Sequence, residues 1–367
     1  MKKFVYLIII GLCFVASLVF VHHNYTFYER PIAKVMEVES GDPTAILDMH
    51  QNKDQLFTQQ IIAELKNGDH KGQRIYLTNQ YSKSGAYDQA YRVGDALFVF
   101  IDSESEKSSN ITGTIEDVKR DQHLMIVTWI FIFILLLIGK KQGLFAIISL
   151  AVNALLLAFA LDIYVKNPSV NLLVICGICA ILFTVFSLLL VNGFNEKTYA
   201  AIIATLLGTV SSLLITYVVM RITSENGLQY EEMQFLTRPY KLVFIAGLFI
   251  GSLGAVMDVA ITMSSSIFGL YEKDHTISVA ALKKSGLEIG KDIMGTMTGI
   301  LFFAYLSGSI PMLILYLKNA STLGFSLSIN LSLELARALA GGIGIVLTIP
   351  IGLYTTIYFV NRKRGTR

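Results

Sequence analysis

Charge is scarce in this chain: Asp, Glu, Lys and Arg make up 16% of 367 residues, while apolar residues make up 53%. Soluble domains carry roughly 25% charged residues, so this composition cannot clothe an ordinary water-exposed surface. The net charge of +3 is too small to point to a polyanion, and no nucleic-acid partner is read from it. Cysteine is nearly absent. Cys13, Cys176 and Cys179 all fall in apolar runs, so no disulfide can staple a polar exported segment. The Cys176-x-x-Cys179 pair sits where a redox or zinc site is not expected, and it reads as small residues at a helix contact. Two further absences bear on function. No H-E-x-x-H motif or Ser/His dyad appears, which argues against an enzyme. No internal repeat appears either, so the inverted symmetry of many transporters is missing.

Long apolar runs are abundant. Mean hydropathy is +0.58, and 22 Phe contribute to it. A first run, FVYLIIIGLCFVASLVF, follows Met-Lys-Lys and approaches the length needed to cross a hydrocarbon core of about 30 Å. No A-x-A site follows it, so residues 1–21 read as an uncleaved signal anchor. Further runs lie at about 124–139, 142–163, 170–191, 199–220, 241–267, 292–317 and 333–360. Only helices satisfy their own backbone groups in lipid, and the runs are too uniformly apolar for barrel strands. The expectation is an α-helical polytopic membrane protein of about eight transmembrane helices. Residues 123–361 form a seven-helix membrane domain and 362–367 a basic tail.

Between the first two spans, residues 22–122 differ in composition. They are polar and turn-rich, with alternating stretches such as RIYLTNQY and YRVGDALFVFID, and they predict a small β-rich extracytoplasmic domain. His22, His23, His50, His70 and His123 lie in or beside it, but no metal-ligand spacing repeats among them, so neither metal nor cofactor is assigned.

The distribution of basic residues predicts orientation. One set of segments carries Lys2, Lys3, Lys140, Lys141, Lys197, Lys273, Lys283, Lys284, Lys291, Arg362, Lys363, Arg364 and Arg367. The short loops of the opposite side carry Lys166, Arg221, Arg238, Lys241 and Lys318. Thirteen against five is a positive-inside bias, and with an even number of spans it places both termini in the cytoplasm of a multi-pass cell-membrane protein.

One carboxylate stands inside a span. Asp258 lies in GAVMDVAITMSSS, about 24 Å from Leu242 along a helix. Stepping by three and four from Gly247 reaches Gly251, Gly254, Asp258, Thr262, Ser265 and Gly269, a single face. Small residues at this spacing predict that the face packs on another helix. The facing surface is expected from KDIMGTMTGILFFAYLSGSIPM, where Gly295 and Gly299 are four apart and Thr296 and Thr298 lie beside them. Asp292 reads as the cap that opens this helix, and Pro311 as a bend near its far end. Glu334 and Arg337, three apart in the last span, predict an ordinary ion pair. Asp258 has two readings. It either binds a proton or cation in a pathway with Thr262, Ser265, Thr296 and Thr298, or it hydrogen-bonds to hydroxyls and locks two helices together.

The blocks VNGFNEKTYAAIIATLLGT, GLFIGSLGAVMDVAITMSSSI, GLEIGKDIMGTMTGILFFAYLSGSIPMLIL and NLSLELARALAGGIGIVLTIPI, in this order, resemble the YibE/F-like family. The resemblance implies a bacterial multi-span membrane protein with an external N-terminal domain, often accompanied by a shorter relative without that domain. It implies no activity. The chain departs from the expected pattern at Met257, where some relatives have a second acid, and at Gly299, where Asn is expected. The functional expectation is a permease of unstated substrate, proton- or cation-coupled through Asp258. The alternative is a non-transporting accessory or assembly protein that presents its external domain. Expected partners are the lipid bilayer and a shorter YibE/F-like paralogue or a second copy of the chain.

Overall fold

The computed structural model describes residues 2–49, 51–85, 89–102, 111–167, 170–230 and 239–365, with side chains described from Ile8 and continuously from Ile10 within the first helix. His50, Arg238, Arg367 and the side chains of Lys2 and Lys3 lie outside the described residues. The chain divides into two units, Met1–Leu135 and Leu136–Arg367.

The first unit opens with α1 (Lys2–His23) and a short 3-10 turn (Asn24–Phe27). Six strands follow: β1 (Ile32–Ser40), β2 (Thr44–Leu47), β3 (Lys53–Leu65), β4 (Arg74–Ser82), β5 (Ala96–Ile101) and β6 (Ile111–Val118). The order is β1-β5-β6-β4-β3-β2, and β1 also pairs with β3. Five strands therefore close on themselves, with β2 as an appended edge. All pairs are antiparallel except β4 with β6. This is a five-stranded Greek-key barrel with the connectivity of OB-fold architecture. A bulge between Val35 and Glu37 lets β1 bend, so its start pairs with β5 while its whole length follows β3. The alternating pattern of β4 delivers Ile75 and Leu77 to a core shared with Ile61, Leu65, Leu97 and Val99. Closure brings Gly113 so near the Phe100 carbonyl that a Cβ would sit 2.3 Å from its oxygen. The β-rich domain expected from composition is thus present, and closure supplies the shape.

Where the barrel meets the helices of its own unit, Lys119 is almost fully buried. Its Nζ donates to Asp121 at 2.7 and 2.8 Å and to the Val21 carbonyl at 2.9 Å. Asn24 and Tyr28 each donate to the same Asp121 carboxylate at 3.0 Å. A buried cation with a paired acid and three further bonds satisfies the rule that buried charge must be compensated.

Among the described residues seven helices are long and apolar enough to cross a membrane, fewer than the eight spans expected. The difference lies in α2 (Asp121–Lys166), a 46-residue element that contains both the 124–139 and 142–163 runs. It is broken at Lys140, whose backbone leaves helical geometry at φ 49°, ψ −120°. The backbone departs from helical geometry at Lys140 alone, with helix on either side of it.

The remaining helices are α3 (Leu172–Asn192), α4 (Glu196–Ile222), α5 (Tyr240–Lys273), α6 (Val279–Lys318) and α7 (Leu323–Gly365). Their starts follow local chemistry: the side chains of Asn171, Asn195 and Ser278 accept from Leu173, Thr198 and Ala281 backbone N–H groups. Helix α7 packs along α4, α5 and α6, and α5 also packs on α3 and α4. Val259, Met263, Ile267, Ile345, Ile349 and Leu353 form the largest buried cluster between α5, α6 and α7. Backbones approach where glycine leaves room: Gly208 faces Thr348, Gly344 faces Val256 and Ser212, and Gly286 and Gly290 face Leu353 and Ile349.

One expectation for these helices needs correction. Helix α6 begins at Val279, capped by Ser278, so Asp292 lies well inside a 40-residue helix and caps nothing. The apolar run begins only near Asp292, and the helix had already started in the preceding amphipathic stretch. Helix α6 also continues through Pro311, as α7 does through Pro350, without ending at either.

Candidate functional site

Helix α5 carries the candidate site. Its buried face is Phe244, Leu248, Ser252, Val256, Val259, Met263 and Ile267, which pack on the neighbouring helices. The Gly-rich face chosen from the sequence points the other way. Gly247, Gly251, Gly254, Asp258 and Thr262 are exposed in the single chain, while Ser265 and Gly269 are half-buried. A Cβ at Gly247, Gly254 or Gly269 would meet nothing, and the same holds for Gly295 and Gly299 of α6. Of the five glycines expected to pack helices, Gly251 alone is in close contact: the Tyr305 hydroxyl occupies the place of its missing Cβ, at 2.3 Å. The contact face of α5 is made by interdigitating bulky apolar residues and not by the glycine stripe.

Helices α5 and α6 run antiparallel, with Gly251 beside Tyr305 and Ile267 beside Gly286. This register sets Asp258 level with Thr296 and Thr298. The residues share a depth but do not join: among the described residues no side chain hydrogen-bonds or ion-pairs with the Asp258 carboxylate. Thr262 donates to the Asp258 backbone carbonyl at 2.7 Å, and Thr298 donates to the Met294 and Gly295 carbonyls of its own helix. Thr296 is exposed on α6. The helix-locking reading of Asp258, which needs a hydroxyl on its carboxylate, has no such bond within the described chain.

On α7, Arg337 donates to Glu334 in a half-buried ion pair. The Arg337 guanidinium also lies 5.4 Å from the centre of the Phe244 ring. On the loop after α5, Asp274 accepts from the Thr276 hydroxyl at 2.6 Å and its N–H at 2.8 Å, which holds that carboxyl below the usual range. Cys176 and Cys179 are buried on α3 in a cluster with Phe249 and Leu253, as free thiols.

Sequence reasoning missed Tyr305, one aromatic among many in its run, because only the fold brings it to Gly251. It also missed a polar contact in which Ser149 and Asn153 donate to Ser187 at 2.9 and 2.7 Å. The four-residue spacing of Ser149 and Asn153 inside an apolar run was its available signal. Among the described residues no group of three His, Cys, Asp or Glu side chains is placed to hold a metal.

The family model described as YibE/F-like protein matches residues 127–362. This chain belongs to the YibE/F-like family. A second model, YibE/F family N-terminal domain, matches residues 26–118, the barrel. No curated protein and no solved structure matches. Both parts of this YibE/F-like chain, barrel and helices, therefore have family counterparts.

Proposed function

We propose that this family member is a multi-pass permease of the cell membrane, driven by a proton or cation that binds Asp258. The observation that carries the reading is the Asp258 carboxylate itself: exposed on an open, glycine-lined face of an apolar helix, with no partner among the described residues. An ionised carboxylate facing hydrocarbon costs about 2.5–3.5 kcal/mol, so such groups border water-filled paths or bind a counter-charge. Thr262, Thr296 and Thr298 add hydroxyls at or near that depth, and Ser265 lies one turn further on.

The topology that goes with this reading has eight crossings. At 1.5 Å per residue the stretches 121–139 and 141–166 on either side of the Lys140 break are about 28 and 39 Å long, each near a hydrocarbon core of about 30 Å. With α2 crossing twice, both termini lie in the cytoplasm, in accord with the basic-residue bias.

A second reading rests on the same open face. Gly247, Gly254, Gly295 and Gly299 leave room for a further helix, from a second copy or a shorter paralogue, so the chain could serve as an accessory or assembly subunit. Asp258→Asn separates the two. The permease reading expects the variant to accumulate in the membrane like the wild type yet fail to rescue a deletion strain. Full rescue would remove the ionisable group from the function and put the accessory reading ahead.

A further inference from the structure

Apart from the Asp258 face, the helices hold a cavity of about 430 Å³ between the end of α4 and the start of α5, lined in part by Tyr217, Arg221, Glu225, Tyr240, Lys241 and Leu242. Its charges are unequal. Lys241 pairs with Glu225 at 2.9 Å, and the Tyr230 hydroxyl donates to the same carboxylate at 3.1 Å. Arg221 donates through Nε to the Tyr217 hydroxyl at 3.2 Å and forms no salt bridge among the described residues. Among the described residues two cations face one acid, and the guanidinium fork suits a phosphate oxygen pair. The floor is apolar, from buried Met220 and largely buried Ile245.

The surface leading away from this pocket matches the rest of a lipid. Leu207, Val210, Leu214, Tyr217 and Arg221 follow one another at spacings of three and four, so they form one stripe of α4. Leu207, Val210 and Leu214 are 50%, 55% and 63% exposed. An apolar stripe that ends in tyrosines and two cations at a helix terminus has the polarity profile of a phospholipid, with acyl chain below and headgroup above.

We propose that this pocket binds the phosphate headgroup of an anionic phospholipid, with its acyl chain laid along the Leu207–Leu214 stripe. Arg221 takes the phosphate oxygens, Lys241 is shared between phosphate and Glu225, and Tyr217 and Tyr240 flank the headgroup. The proposal rests on the membrane character of the helices and not on transport through Asp258.

Native mass spectrometry of the purified full chain tests it, with phosphatidylglycerol, phosphatidylcholine or inorganic phosphate added to delipidated protein. The wild type is expected to retain phosphatidylglycerol over phosphatidylcholine. The Arg221→Gln/Lys241→Gln double variant should lose about thirtyfold of that preference, from roughly 1 kcal/mol for each of the two basic residues near an anionic surface. Arg221→Lys/Lys241→Arg keeps the charge and should keep most of the preference, which separates charge loss from misfolding. Lys273→Gln, at an exposed cation on the opposite end of α5, should change nothing. Undiminished preference in the double variant would overturn the proposal. Competition by millimolar inorganic phosphate as effective as by the lipid would also overturn it, since the acyl stripe would then contribute nothing.

Discussion

At the scale of single residues, the membrane half contains two kinds of glycine that look alike in the sequence. At Gly208 a Cβ would lie 2.1 Å from the Thr348 hydroxyl and 3.4 Å from Val256, with α7 directly opposite. At Gly254 a Cβ would meet nothing. Gly208→Ala is therefore expected to lower stability by about 1–3 kcal/mol through overpacking. Gly254→Ala is expected to be neutral or to gain up to about 1 kcal/mol of helix propensity. Thermal unfolding in detergent compares the two directly. Repeated in native membranes, a penalty at Gly254 that is missing in detergent would reveal a helix seated on the open face and favour the subunit reading. Asp258 belongs to the same face, and its neighbours could be named in advance because helical spacing alone collects them. Which way that face turned could not be named.

At the scale of elements, the barrel and α2 each make a claim that can be measured. In the barrel, Asp54 at the start of β3 accepts from the Ser84 hydroxyl, from the Gln55 N–H at 2.8 Å and from the Ser84 N–H at 3.2 Å. These bonds, the Ser84 hydroxyl first, hold its carboxyl below the ordinary range. A depressed carboxylate adds stability that is complete above its unfolded value of about 3.9 and is lost as pH falls through the lower folded value. Protection of the Gln55 and Ser84 amides, taken as exchange relative to the intrinsic rate at each pH, should therefore hold at neutral pH and fall only as pH falls below about 4. Protection already lost near neutrality would contradict the assignment. In α2, Lys140 holds a backbone conformation that suits glycine, at φ 49° and ψ −120°. Lys140→Gly should raise the melting temperature, with a gain of about 1 kcal/mol, whereas a β-branched residue there should lower it. The start of α6 teaches a related lesson. Ser278 caps a helix that runs through an amphipathic stretch before its apolar run begins, so hydropathy placed the span near Asp292 but could not place the helix end.

At the scale of the whole molecule, the proposed eight-crossing arrangement predicts a pattern of sidedness. In a chain stripped of Cys13, Cys176 and Cys179, a single cysteine at Lys140 or His275 should react with membrane-impermeant reagents from the cytoplasmic face. One at Lys166 or Lys318 should react from the opposite face. Labelling at Lys140 from the same side as Lys166 would mean that α2 crosses once, and the even count would fail. Much of this protein was legible without coordinates. The scarcity of charge and the length of the apolar runs require helices in lipid, since unsatisfied backbone is too costly there. The alternation in RIYLTNQY requires strands, and the i, i+3 spacing of Glu334 and Arg337 requires only one helical turn to form their pair. These are local consequences of composition and period, settled within a few residues of chain. Contacts between distant segments were not legible: closure of the barrel through β1, Tyr305 over Gly251, Gly208 against Thr348, and Arg221 beside Lys241. They depend on which faces pack, and that choice follows the fit of side chains across all the elements together, which no single stretch of sequence contains.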